Sequence, residues 1–192
     1  MVVCMTYPYK NIVYSNRGMT LEYLINASNA YYRMIDKAII YKKPTPITVA
    51  KVDYKSRFDA KIKEAYYRIP STTDYNGIYK GKYIDFEAKE TMNKTSFPLS
   101  NIHKHQIDHI ESIIRHNGIA FIIVYFKLLN KIYYLKGEDL IIFIKNNKRK
   151  SIPLDYFNLK GYLLIERINP FIDYLKIIDE LYFKENYNEE SI

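Results

Sequence analysis

The chain has 192 residues, 29 Lys and Arg against 21 Asp and Glu for a formal net charge of +8, and 48% hydrophobic residues. One compact domain with a sizeable core is the expectation at this length, and the basic excess favours polyanionic partners, nucleic acid before an anionic membrane surface. A spanning helix is excluded because the longest apolar run, "IAFIIVYF" at 119–126, is far short of the ~20 residues a bilayer needs, and an internal disulfide is excluded because Cys4 stands alone.

In chain order, "MVVCMTYPYK" lacks a basic n-region followed by a long apolar stretch, so a cytoplasmic protein without a leader is expected. Leu21, Leu24, Tyr31, Met34, Ile35 and Ala38 recur at spacings of three and four and predict a helix within 20–38, with Thr20 as N-cap and Glu22 in the first turn. "IIYKKPTPITVAKV" at 39–52 reads as extended chain broken by a turn. Residues 51–63 set Lys51, Lys55, Arg57, Lys61 and Lys63 around Tyr54 and Phe58, either a basic DNA-binding arm or an ordinary solvated hairpin. After a hairpin at 71–90, a second helix is predicted from a Ser100 cap to Gly118, then buried strand 119–126, its neighbour 131–136 and a short helix at 138–147. A strand in "GYLLIERI" and a C-terminal helix at 171–183 complete a single α/β domain with a mixed central sheet flanked by helices; 185–192 reads as a flexible tail.

The hairpin carries the chemistry. From 82 to 89 the pattern has the period of a strand, with Ile84, Phe86 and Ala88 on one face and Tyr83, Asp85, Glu87 and Lys89 on the other. A Lys80–Gly81 turn pairs Tyr79 with Lys82 and, continued, sets Asp74 across from Glu87 and Thr72 across from Lys89; Gly77 would then mark a bulge. The alternative turn, Asn76–Gly77, puts Asp74 opposite Tyr79 and breaks that site. Opposed carboxylates have Cβ atoms only ~4.5–5.5 Å apart and repel unless one is protonated or a cation lies between them. Such an oxygen site suits Mg²⁺ or Mn²⁺, and Lys89 on the same face can orient water or balance charge on a phosphate in phosphodiester hydrolysis. Taken alone, the D…ExK spacing equally describes a solvated strand face with a Glu–Lys pair.

Five blocks, "SNRGMTLE" at 15–22, "KKPTP" at 42–46, "STTDYNGIYKGKYIDFEAKET" at 71–91, "NKTSFPL" at 93–99 and "HQIDHI" at 105–110, resemble RecU-type Holliday-junction resolvases in order along the chain. The resemblance implies a PD-(D/E)xK, restriction-endonuclease-like nuclease core, a homodimer, and Mg²⁺- or Mn²⁺-dependent symmetric incision of four-way DNA junctions in recombination and repair. It implies Asp74 and Glu87 as metal ligands, Lys89 as the residue that stabilises the transition state, and Thr72 and Gln106 as the remaining metal-site positions. Arg17 and Glu22 become active-site rim, and 51–63 becomes part of a protruding stalk whose Arg57, with Lys55 and Lys61, contacts the junction beside Lys42. Recombinase and branch-migration proteins are open partners, and no membrane is implied. No proline directly precedes Asp74, although Pro70 lies nearby.

His103, His105, His109 and His116 lie on or near the second helix, where solvent-facing positions or phosphate contacts explain them better than zinc ligation by His105 and His109. "KNNKRK" at 145–150 is a soluble loop or a backbone-binding patch. Two readings compete with a resolvase: an endonuclease that cuts linear duplex, and a non-catalytic DNA-binding regulator of recombination.

Overall fold

Thr20 caps α1 (Leu21–Met34), its side-chain oxygen accepting the Tyr23 backbone N–H at 3.2 Å. The computed structural model describes residues 20–53, 61–67 and 72–184. The buried face of α1 is Leu21, Leu24, Ile25, Ser28, Asn29 and Tyr32, while Met34 and Ile35, expected on it, are exposed at the helix end. Polar residues can line this face because their oxygens are hydrogen-bonded: Ser28 Oγ donates to Leu24 O and accepts from Ile172 N, and Asn29 Oδ1 accepts from the Tyr174 hydroxyl.

β1 (Ile39–Lys42) and β2 (Ile47–Asp53) follow, and β2 pairs antiparallel with β3 (Lys61–Tyr67) in a two-stranded sheet of its own. The basic arm expected over 51–63 falls on the ends of these strands. Lys61 lies at the start of β3, whereas Lys55 and Arg57, like Arg17 and the 185–192 tail, lie outside the described residues.

β4 (Tyr75–Tyr79) and β5 (Lys82–Thr91) form the hairpin in the Lys80–Gly81 register, Tyr79 opposite Lys82. Lys80 and Gly81 have φ of 47° and 74°, the two positive values of a type I′ turn. Gly77 marks no bulge: the ladder runs through it unbroken, and a Cβ there would stand 2.0 Å from the Ile39 carbonyl oxygen of β1. The glycine is there for the close approach of a neighbouring backbone.

Beyond β6 (Ser96–Pro98), Ser100 sits in a single 3₁₀ turn and does not cap the second helix, α2 (Lys104–Arg115). His103 is the N-cap, its backbone N–H donating to Gln106 Oε1 at 3.0 Å. β7 (Ile119–Phe126), β8 (Lys131–Lys136) and α3 (Gly137–Asn146) follow their predicted spans closely. β9 (Ser151–Pro153), which pairs with β6, and α4 (Leu154–Lys160) went unpredicted because each is too short to show a period. β10 (Tyr162–Leu164) is shorter than expected, and the C-terminal helix divides into α5 (Tyr174–Ile178) and a π-helical turn to Phe183.

Among the described residues six strands form one mixed sheet in the order β1-β4-β5-β7-β8-β10, in which only β5 and β7 run parallel. Alternation along the fully buried β7 splits the core. Ile119, Phe121 and Ile123 join Phe86, Leu24 and Tyr174 on the α1 and α5 side; Ala120, Ile122 and Val124 join Ile110 and Leu140 on the α2 and α3 side.

Candidate active site

Because β5 and β7 are parallel and in register, Asp85, Glu87 and Lys89 lie beside Ala120, Ile122 and Val124 and share the face that α2 covers. Where β7 supplies aliphatic side chains, β5 supplies two carboxylates with no exposed surface and a lysine that is partly exposed. Charged groups are placed so only with partners, and the two acids differ in what they have.

The hairpin strands end unequally. β4 pairing starts at Tyr75 opposite Phe86, while β5 continues against β7 to Thr91. Asp74, the residue just before β4, closes this gap by accepting the Ala88 backbone N–H on Oδ2 at 3.1 Å. That contact holds its carboxylate beside Glu87, in the neighbourhood the strand register predicts. Burial first and the Asp74 charge second push the Glu87 carboxyl up to about 7, against the opposing pull of Lys89. Lys89 Nζ stands 2.5 Å from Glu87 Oε1 as an ion pair, and Lys89 and Asp74 are the side chains that meet this otherwise enclosed carboxylate. A buried carboxylate in that condition, with a second beside it, fits a hard divalent cation that takes one or two carboxylates and keeps its waters.

The other expected ligands are engaged elsewhere. Thr72 is exposed and outside the ladder, so it does not face Lys89 as a strand partner; its Oγ1 accepts from Lys43 Nζ at 3.1 Å. Gln106 is buried on α2 with its amide oxygen given to the helix cap. Among the described residues no three His, Cys, Asp or Glu side chains converge in a metal-binding group, and none forms around His105 and His109. Beside Asp74 opens a cleft of about 310 Å³ lined by Leu21, Glu22, Lys42, Tyr75 and Glu90. Lys42 and Glu22 pair across it at 2.5 Å, and Glu90 Oε1 accepts the Leu21 N–H at 2.7 Å, fixing the start of α1 to β5. Glu22, expected at the active-site rim, and Lys42, expected as a DNA contact, both line this cleft.

Asp85 was given no role from the sequence, yet it is the most heavily bonded carboxylate of the site. It accepts from Lys43 Nζ at 2.6 Å, from the Tyr83 hydroxyl at 2.9 Å and from the Thr73 hydroxyl, and His109 Nε2 lies 3.3 Å away. His109 is thus half-buried on α2, with the Nε2 side of its ring against Asp85. The alternation that put Asp85 on the face of Glu87 was the available signal; its partners come from three other segments and left none.

A mixed sheet whose parallel pair carries D-x-E-x-K, with another acid at the divergent end of the preceding hairpin, defines a restriction-endonuclease-like nuclease core. Residues 16–180 match the family model for Recombination protein U, and the chain belongs to the RecU family. It is 51% identical over 179 residues to the Holliday junction resolvase RecU of Bacillus thuringiensis (strain Al Hakam), Bacillus cereus (strain G9842) and Bacillus anthracis (strain A0248). Each match covers 92% of this chain and 90% of the relative. Among the described residues no helix is long and apolar enough to cross a membrane.

Proposed function

We infer that this chain is a crossover junction endodeoxyribonuclease, which resolves four-way DNA junctions in recombination and repair by metal-dependent phosphodiester hydrolysis. The observation that carries the reading is the fully buried carboxylate of Glu87 with a second carboxylate, Asp74, beside it and Lys89 Nζ at 2.5 Å. Asp74 and Glu87 would hold Mg²⁺, or Mn²⁺ in its place, with Thr72 and Gln106, the other two positions implied by the resemblance, on the segments that flank them. When bound, such an ion supplies Lewis-acid charge that readies water as a nucleophile and neutralises the phosphate. Lys89 supports the negative charge that grows on a non-bridging oxygen, where a preorganised cation in a water-poor site is most effective.

Lys42 at the cleft, Arg17 at the rim, and Lys55, Arg57 and Lys61 of a stalk would hold the DNA backbone. A homodimer with two-fold symmetry would set two such sites on opposite arms, and symmetric cuts would follow from that symmetry. A cytoplasmic location fits an enzyme acting on the chromosome.

The test compares a four-way junction with a linear duplex of the same sequence, with and without Mg²⁺. The expected result is cutting of the junction only when metal is added. Preferential cutting of the linear form would replace the resolvase reading with a duplex endonuclease, and binding without cutting under all conditions would leave a regulator. Asp74→Ala and Glu87→Ala should abolish cutting while junction binding persists.

A further inference from the structure

Beside the proposed ligands, the Asp85 cluster joins every segment that delivers them. Asp85 lies on β5, two residues before Glu87 and on the same face, with no exposed surface. Lys43, the residue just after β1, reaches Asp85 Oδ2 at 2.6 Å, Thr73 Oγ1 at 2.7 Å and Thr72 Oγ1 at 3.1 Å with one ammonium group. The backbone N–H of Lys43 donates to Asp74 O at 2.8 Å. Thr73, itself fully buried, donates its hydroxyl to the other oxygen of Asp85. On the far side His109 touches Asp85 from α2, one helical turn beyond Gln106. The 72–74 turn is thus tied to β5 directly through the Thr73 hydroxyl and indirectly through the Lys43 ammonium, which bridges Thr72 and Thr73 to Asp85.

We propose that Asp85 and Lys43 are positioning residues of the nuclease site: the pair fixes the Thr72–Asp74 turn and α2 on β5, so that Asp74 meets Glu87 at the spacing a divalent cation requires. The proposal rests on the nuclease reading above. Its physical basis is that Asp74 precedes β4 and has no ladder of its own. The Lys43 backbone N–H holds its carbonyl and the Ala88 N–H its carboxylate, while the Lys43–Asp85 clamp fixes the turn that carries both. A carboxylate that must bind a cation with little reorganisation needs its backbone fixed beforehand, and groups that orient ligands in this way commonly control metal affinity by roughly 10–100-fold.

The experiment measures Mn²⁺ binding by electron paramagnetic resonance, the Mg²⁺ concentration for half-maximal junction cutting, and thermal unfolding. It uses the full-length protein, Asp85→Asn, Lys43→Met, Lys43→Arg and the Asp85→Asn/Lys43→Met double variant. Asp85→Asn and Lys43→Met should each weaken Mn²⁺ binding and raise the Mg²⁺ requirement by about 10–100-fold. The double variant should be no worse than the weaker single, because both remove one clamp, and Lys43→Arg should restore most of the affinity. Metal affinity equal to the parent's in folded Asp85→Asn and Lys43→Met would overturn the proposal, even with a lowered melting temperature, since that is the signature of a merely structural pair. Should Asp85→Asn fail to unfold cooperatively, Thr73→Val is read on the same axis: weakened Mn²⁺ binding supports the clamp and unchanged binding overturns it. A parent protein that neither binds Mn²⁺ nor cuts overturns the nuclease reading as well, which distinguishes the two failures.

Discussion

Glu87 faces two demands at once, burial that favours its protonated form and a role that needs it charged. With its carboxyl raised from the ordinary 4.5 to about 7, the folded metal-free protein holds a proton there that the unfolded chain has released. That contribution is fully stabilising below about pH 4.5 and is lost as pH rises through about 7. Metal-free stability, followed by urea unfolding in chelator, should therefore fall across this window, and Glu87→Gln should flatten the fall. Added Mg²⁺ should raise the midpoint of the parent at pH 8 and leave Glu87→Gln unmoved, because the cation replaces the proton as partner. Lys89→Met should lower the cutting rate by roughly 10²–10³-fold, the loss typical of a preorganised charge-stabilising group, with junction affinity retained; an unchanged rate would remove Lys89 from the chemistry. That Glu87 and Lys89 share a face was readable in the sequence because a strand's two-residue period assigns faces directly, and the Lys80–Gly81 register brought Asp74 to the same end of the hairpin. Asp85 was readable only as a face, since a period says which side a residue takes and nothing about what meets it there.

At the scale of elements, two glycines of one hairpin separate two causes of glycine use. Gly77→Ala would drive a methyl group into the Ile39 carbonyl, so β1 and β4 must part; the expected cost is above ~2 kcal/mol, a melting temperature lower by roughly 4–8 °C. Gly81 has open space around it and a φ of 74°, so Gly81→Ala should cost only about 1 kcal/mol through backbone strain. Differential scanning calorimetry of the pair checks both values, and equal losses would contradict the distinction. The turn itself was legible, because only the Lys80–Gly81 register keeps 83–88 alternating along a full strand. The packing of β1 over Gly77 was not, since that neighbour lies across the sheet and far away in the chain. The start of α2 misled for a local reason: Ser100 has the chemistry of a cap, but the chain spends a 3₁₀ turn before His103 and Gln106 close the helix.

For the molecule as a whole, the net charge of +8 predicts junction binding that weakens steeply with salt, the logarithm of affinity falling linearly with that of salt concentration. Arg57→Ala should reduce junction affinity more than duplex affinity in gel-shift titrations, and equal losses would leave the arm a generic electrostatic contact. The sequence by itself determined the alternation of β5, the wholly apolar β7, the hairpin turn and the excess of positive charge, all of which are local or compositional and survive in a linear string. Only the tertiary structure decided that β5 and β7 run parallel, that α2 covers their charged face, and that Lys43, Thr73 and His109 converge on Asp85. Those contacts join residues 12 to 42 positions apart, and the free energy that selects them comes from burying the whole sheet at once.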